Sequence, residues 1–106
     1  MLVRIVKLDF QEDRVEDFLN FFESTKNKVN NFPGCLGMKL LRGADDPSII
    51  VTYSHWEKAE HLENYRKSST FIEIWTKIKP WFKNKPEAWS LQEHFNGFDA
   101  KMPPIE

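Results

Sequence analysis

Three histidines, one cysteine, four tryptophans and a cluster of lysines are the side chains through which this 106-residue chain could act on another molecule. His55 stands at the end of an extended stretch, where strands give way to loops that often carry function, and imidazole titrates near neutrality. With no partner identified beside it, its ordinary reading is a surface or capping residue. His61 lies among Glu60, Glu63 and Asn64 on a solvated helix, and no role is assigned to it. His94 falls on the less apolar face of a late extended stretch, open to either a pocket or solvent. His55 and His61 are too few and wrongly spaced for a metal centre, since no third ligand follows at helical or finger-like spacing. Cys35 follows Pro33-Gly34 without a CxxC partner or a Cys-His signature, so it reads as a small buried residue and not as a nucleophile. Trp56, Trp75, Trp81 and Trp89 sit at helix or strand spacing; core packing is their ordinary role and ligand contact the sharper one.

Lys77, Lys79, Lys83 and Lys85, interleaved with Trp81 and Phe82, superficially suggest nucleic acid. The whole-chain balance argues otherwise. Lys and Arg number 15 against 16 Asp and Glu, a net charge of -1, so no global field gathers phosphate polyanions or anionic lipid. The lysines read as a solvated face. A single cysteine cannot form an intramolecular disulfide, and the chain opens on an amphipathic strand without a basic segment leading into an apolar one. A reduced, cytoplasmic protein is expected. No apolar run approaches the ~20 residues that span a bilayer.

The elements that must position these residues are well signalled. From Leu2 to Phe10 the pattern alternates: Leu2, Val6, Leu8 and Phe10 share one face with Arg4, while Val3, Ile5, Lys7 and Asp9 share the other. Gln11 to Arg14 opens a helix whose Val15, Phe18, Leu19, Phe22 and Val29 recur at helical spacing, with acids at its start and Lys26 and Lys28 at its end. Phe32-Pro33-Gly34 stops it. Leu36–Arg42 and Ser48–His55 form an antiparallel hairpin across Gly43 to Pro47. Glu57–Arg66 has helical composition, and Thr70 or a neighbour caps a further helix that Pro80 kinks or ends. Lys83-Asn84-Lys85-Pro86 is expected as a polar break before a fourth strand over Ala88–Phe95. One domain over residues 1–95 and a tail over 96–106 follow.

Strand, helix, strand, strand, helices, strand is the split β-α-β order of ferredoxin-like α+β folds, with a four-stranded antiparallel sheet. Helices cover one face only, so the other face needs solvent or a second subunit. A homodimer, closing two sheets into an α+β barrel, is expected. In this order the chain resembles the antibiotic biosynthesis monooxygenase family over roughly Leu2 to Phe95. The resemblance is carried by Phe18-Leu19-Asn20-Phe21-Phe22, by Pro33-Gly34-Cys35-Leu36-Gly37, by Ile50 to Lys58 with its strand-ending Trp56, and by Ser68-Ser69-Thr70-Phe71.

The family includes enzymes that oxidise aromatic polyketides with O₂ and without metal, flavin or haem. The resemblance therefore implies an oxidoreductase with no cofactor, acting on a small aromatic or quinol-like substrate that supplies its own electrons. On that reading Trp56, Tyr65, Phe71 and Trp75 wall a pocket, and Asp9, His55 or Lys7 polarises the substrate, with Asp9 and His55 as the catalytic candidates. Haem-degrading relatives use an Asn, a Trp and a His. Lys7, Tyr65 and Trp75 fall near those positions, so all three differ and no axial ligand is evident. A third reading is a non-enzymatic ligand-binding dimer, since function belongs to sites and not to folds.

Overall fold

The computed structural model describes residues 1–98. Strand β1 (Leu2–Phe10) passes through a 3₁₀ turn (Glu12–Arg14) into helix α1 (Val15–Asn30). Strands β2 (Cys35–Arg42) and β3 (Ile49–Trp56) follow, then α2 (Ala59–Arg66), α3 (Ser69–Ile78), a 3₁₀ turn (Lys79–Trp81) and β4 (Phe82–Leu91). The sheet order is β2-β3-β1-β4, and each neighbouring pair is antiparallel. This is the ferredoxin-like α+β arrangement that the element order implies.

Alternation along β1 and β3 sorts the sheet into two faces. Leu8, Phe10 and Ile50 point to the helices and form the core with Val15 and Phe18 of α1 and Ile78 of α3. Phe10 and Ile50 are fully buried. The Phe10 ring lies 4.6 Å from that of Phe18 and 5.2 Å from that of Phe82, which ties β1 to α1 and β4 at one point. Val3, Ile5, Lys7 and Asp9 of β1, with Val51, Tyr53 and His55 of β3 and Trp89 of β4, belong to the face without helices.

Local signals explain the element ends. Helix α1 carries Glu16 and Asp17 in its first turn and Lys28 in its last, the polarity its dipole favours. Gly34 has φ +87°, and the ring of His61 fills the space a Cβ would take, so this turn requires glycine on both counts. Ser68 caps α3, its Oγ accepting from the Phe71 amide at 3.2 Å. Pro80 lies in the turn that ends α3.

The fourth strand departs from expectation. It begins at Phe82 and ends at Leu91, so Lys83 to Pro86 lie inside it and His94 and Phe95 outside. The reason is its edge position: only β1 pairs with it, and the register slips between Lys7 and Asp9 and again between Asp9 and Phe10. A bulged edge strand tolerates a proline, which gives no ladder hydrogen bond, and lysines that face water. The expected tail falls mostly beyond the described residues. No helix among those residues is long and apolar enough to cross a membrane.

Candidate functional site

Between the inner sheet face and the helices lies a cavity of about 930 Å³. That is the size of a small-molecule site. Its floor is β1, β3 and β4, through Arg4, Val6, Thr52, Ser54 and Ala88; its roof is α1 and α3. One wall is a continuous series of rings. Trp56 stacks on Tyr65 with centroids 5.3 Å apart and planes at 29°. Tyr65 meets Phe71 edge-on at 5.3 Å, Phe71 lies 5.5 Å from Trp75, and Trp75 lies 5.8 Å from Phe82. Such offset and edge contacts are the favoured geometries of aromatic quadrupoles.

The wall is fixed from behind. Trp56 is buried and donates its indole N–H to Ser54 Oγ at 3.0 Å. Phe32 packs edge-on against both Trp56 and Tyr65. Burial, and secondarily the nearby Cys35 thiol, push the Tyr65 phenol up to about 12. Burial likewise raises the Cys35 thiol, although a hydrogen bond with the Gly37 backbone opposes this, so the sulfur is a poor nucleophile near neutrality. The Tyr65 shift predicts a pH dependence. The folded state keeps the phenolic proton longer than the unfolded chain, so the unfolded state binds fewer protons between pH about 10 and about 12. Stability therefore falls as pH rises through that window, by on the order of 2 kcal/mol. Denaturant titration at pH 9 and pH 11.5 measures the loss; Tyr65→Phe should abolish most of it.

Arg4 is the half-buried charged group of the cavity floor. Its side chain donates from Nη1 to Ser90 Oγ at 2.9 Å. Burial first, and then the charge of Arg66, disfavour its charged form, while Glu63 favours it. Arg66 also lines the cavity, as do Lys79, Lys83 and Lys85 near the start of β4.

The structure brings Trp56, Tyr65, Phe71 and Trp75 together on this cavity. Lys7, Asp9 and His55 lie on the opposite face of the sheet, because strand alternation turns odd positions of β1 and β3 away from the helices. Lys7 sits between Val51 and Glu87. His55 Nε2 shares a 2.7 Å hydrogen bond with the Tyr53 hydroxyl, its direction set by the tautomer. Asp9 accepts from the side-chain amide of Asn84, a cavity-lining residue, and so touches the site only through it. His61 packs against Gly34. Arg4, Ser54 and Arg66 are among the site residues that the sequence candidates leave out. The signal for Arg4 was a lone cation in an apolar stripe of Leu2, Val6, Leu8 and Phe10. Among the described residues no group of three or more His, Cys, Asp or Glu could hold a metal ion.

The model of the antibiotic biosynthesis monooxygenase family matches residues 1–76. The chain belongs to that family. Comparison with curated proteins returns no match. Solved structures similar to this monooxygenase-family fold include a Nitrosomonas europaea protein named as a candidate antibiotic biosynthesis monooxygenase. It is 18% identical, covers 90% of this chain and 100% of its own, and has a TM-score of 0.83. A conserved protein from Methanosarcina mazei is 19% identical over 88% of this chain and 93% of its own, with a TM-score of 0.81. At these identities the likeness is one of fold, so the activity of this family member must be argued from its own cavity.

Proposed function

We propose that the chain is a monooxygenase that binds a planar aromatic or quinol-like molecule in the cavity and oxidises it with O₂, the substrate itself supplying the electrons. The observation that carries this reading is the ring series Trp56-Tyr65-Phe71-Trp75 facing a floor that holds one half-buried cation, Arg4. An aromatic wall selects a flat ring. A half-buried guanidinium on the cavity floor stabilises an anion on that ring more than the same charge free in solution would.

For an anthrone the chemistry balances simply. Loss of one C–H proton to water leaves a delocalised carbanion. It passes one electron to O₂, and the resulting radical pair combines to form a C–O bond. Protonation gives a hydroperoxide, which loses the second hydrogen of that carbon as its O–O bond breaks. The products are a ketone and one water. The chain's part is to favour the anion through Arg4 and to hold the ring against Tyr65, Phe71 and Trp75. No histidine or carboxylate lines the cavity among the described residues, so we assign the catalytic effect to anion stabilisation and positioning. We also propose that the protein is a homodimer paired through the sheet face that lacks helices.

An oxygen electrode tests the oxidation with 1,8-dihydroxyanthrone, which takes one oxygen atom into its new ketone and leaves the other as water, and with menadiol, whose two hydrogens pass to O₂ as hydrogen peroxide. Uptake should exceed buffer autoxidation and yield the quinone product, and Trp75→Ala should lower the rate about tenfold, the loss of one aromatic contact. Uptake no faster than in buffer for either substrate would remove the monooxygenase reading. The lack of an acid–base pair in the cavity favours a ligand-binding dimer as the second reading, which binding without turnover would then select.

A further inference from the structure

We infer that the ligand of this cavity is a planar aromatic carboxylate, docked with its carboxylate between Arg4 and Arg66 and its ring along the aromatic wall. The inference rests on the cavity being the ligand site and adds the charge and the polarity of what it takes.

The charged side chains that line the cavity are Arg4, Arg66, Lys79, Lys83 and Lys85, and no Asp or Glu lines it among the described residues. The chain as a whole carries 15 basic and 16 acidic residues, so this concentration of one sign is local and not a result of composition. Glu63 pairs with Arg66 at 2.8 Å on the exposed side of α2. Asp46 lies near enough to Lys83 to be held in its charged form in part by that cation, with its main hydrogen bonds going to Ser48. Among the described residues no carboxylate forms an ion pair with Arg4, whose hydrogen bond goes to the neutral Ser90 hydroxyl.

The two ends of the cavity differ. Lys79, Lys83 and Lys85 are exposed, and water screens them. Arg4 is half-buried, and both its surroundings and the neighbouring Arg66 charge act against its cation. An anion placed there relieves both effects at once. Arg4 and Arg66 line the same cavity, near enough for one charge to act on the other, and each guanidinium offers forked N–H donors that match the two oxygens of a carboxylate. Arg4 pairs across the sheet with Ser54, and Trp56 follows two residues along on the same face. Two residues of strand span about 7 Å, roughly one ring beyond the carboxylate. A flat acid anchored at Arg4 thus lies toward this end of the wall and meets Tyr65, which covers the buried Trp56.

Equilibrium dialysis of the full chain against anthraquinone-2-carboxylate and the uncharged anthraquinone-2-carboxamide tests this. The native protein should prefer the carboxylate at least tenfold, the value of a charge-assisted fork. Arg4→Gln with Arg66→Gln should bring the preference below threefold, and Lys28→Gln on α1 should leave it unchanged. Should the double variant fail to fold by circular dichroism, Arg66→Gln alone, at an exposed position, must lower the preference at least threefold. Equal binding of the two molecules by the native protein overturns the inference and leaves the cavity reading intact. A preference that survives the arginine substitutions overturns it as well. If neither molecule binds, the cavity reading fails, and the inference with it.

Discussion

Phe10→Ala lowers the unfolding free energy by about 3–5 kcal/mol, the range for removing a fully buried aromatic ring. Phe10 has no exposed surface, and its ring touches those of Phe18 and Phe82, so one truncation opens a hole where β1, α1 and β4 meet. Close-packed cores relax only partly around such a hole. Small domains hold about 5–15 kcal/mol in total, so this single change takes a large share of it. Urea titration at fixed protein concentration measures the loss, because any association would make stability concentration-dependent. Phe10→Leu, which keeps most of the volume, should cost much less. Phe95→Ala, at a position 78% exposed, should stay within about 0.5 kcal/mol. A cost below 1 kcal/mol for Phe10→Ala would place the core elsewhere.

The core is also what was most legible in the sequence. Leu8, Phe10, Val15 and Phe18 fall at strand and helix periods that leave little choice about which way they point. Proline and glycine at 33–34 mark a turn by local chemistry alone, and the cap expected at Thr70 or a neighbour falls on Ser68, two residues earlier. Strand β4 was less legible because its sequence is written for an edge. Lys83, Lys85 and Pro86 break an alternating pattern and resemble a loop, yet an edge strand with two register slips needs neither a continuous ladder nor an apolar stripe.

The site divides along a similar line. Trp56, Tyr65, Phe71 and Trp75 are large rings at helix or strand positions, and any helix-covered sheet brings such residues inward. The polar groups are harder to read. Both faces of β1 carry apolar residues, so periodicity separates Lys7 and Asp9 from Arg4 without saying which set meets the cavity. Only the packing of α1 and α3 decides it, and it puts Arg4 inside. His55 shows the same ambiguity one strand away: a strand-end histidine beside a cavity-wall tryptophan points to the other side of the sheet because neighbours in a strand always do.

The outer face is where the second large effect is expected. Ile5 sits there between Tyr53 on β3 and Trp89 on β4, with Val51 and Leu41 farther along the same face. Trp89 is 43% exposed and Leu41 is 49% exposed, an apolar area that single chains seldom leave open to water. In a twofold pairing of two such faces each substitution appears twice, once from each subunit. Ile5→Lys would therefore set two ammonium groups among Tyr53 and Trp89, on a face whose carboxylates Asp9 and Glu87 already lie beside Lys7. At several kcal/mol for each buried, unpaired charge, the dissociation constant should rise at least a thousandfold. The fold of each subunit should survive, because Ile5 faces away from the Phe10 core. Sedimentation equilibrium at micromolar concentration should give twice the chain mass for the native protein and the chain mass for Ile5→Lys. Ile72→Lys, an exposed position on α3, should remain a dimer. A native protein that sediments as a monomer, or an Ile5→Lys variant that still associates as tightly as the native one, would remove the sheet-to-sheet pairing. The cavity would remain, since the helices and the inner face of the same chain line it.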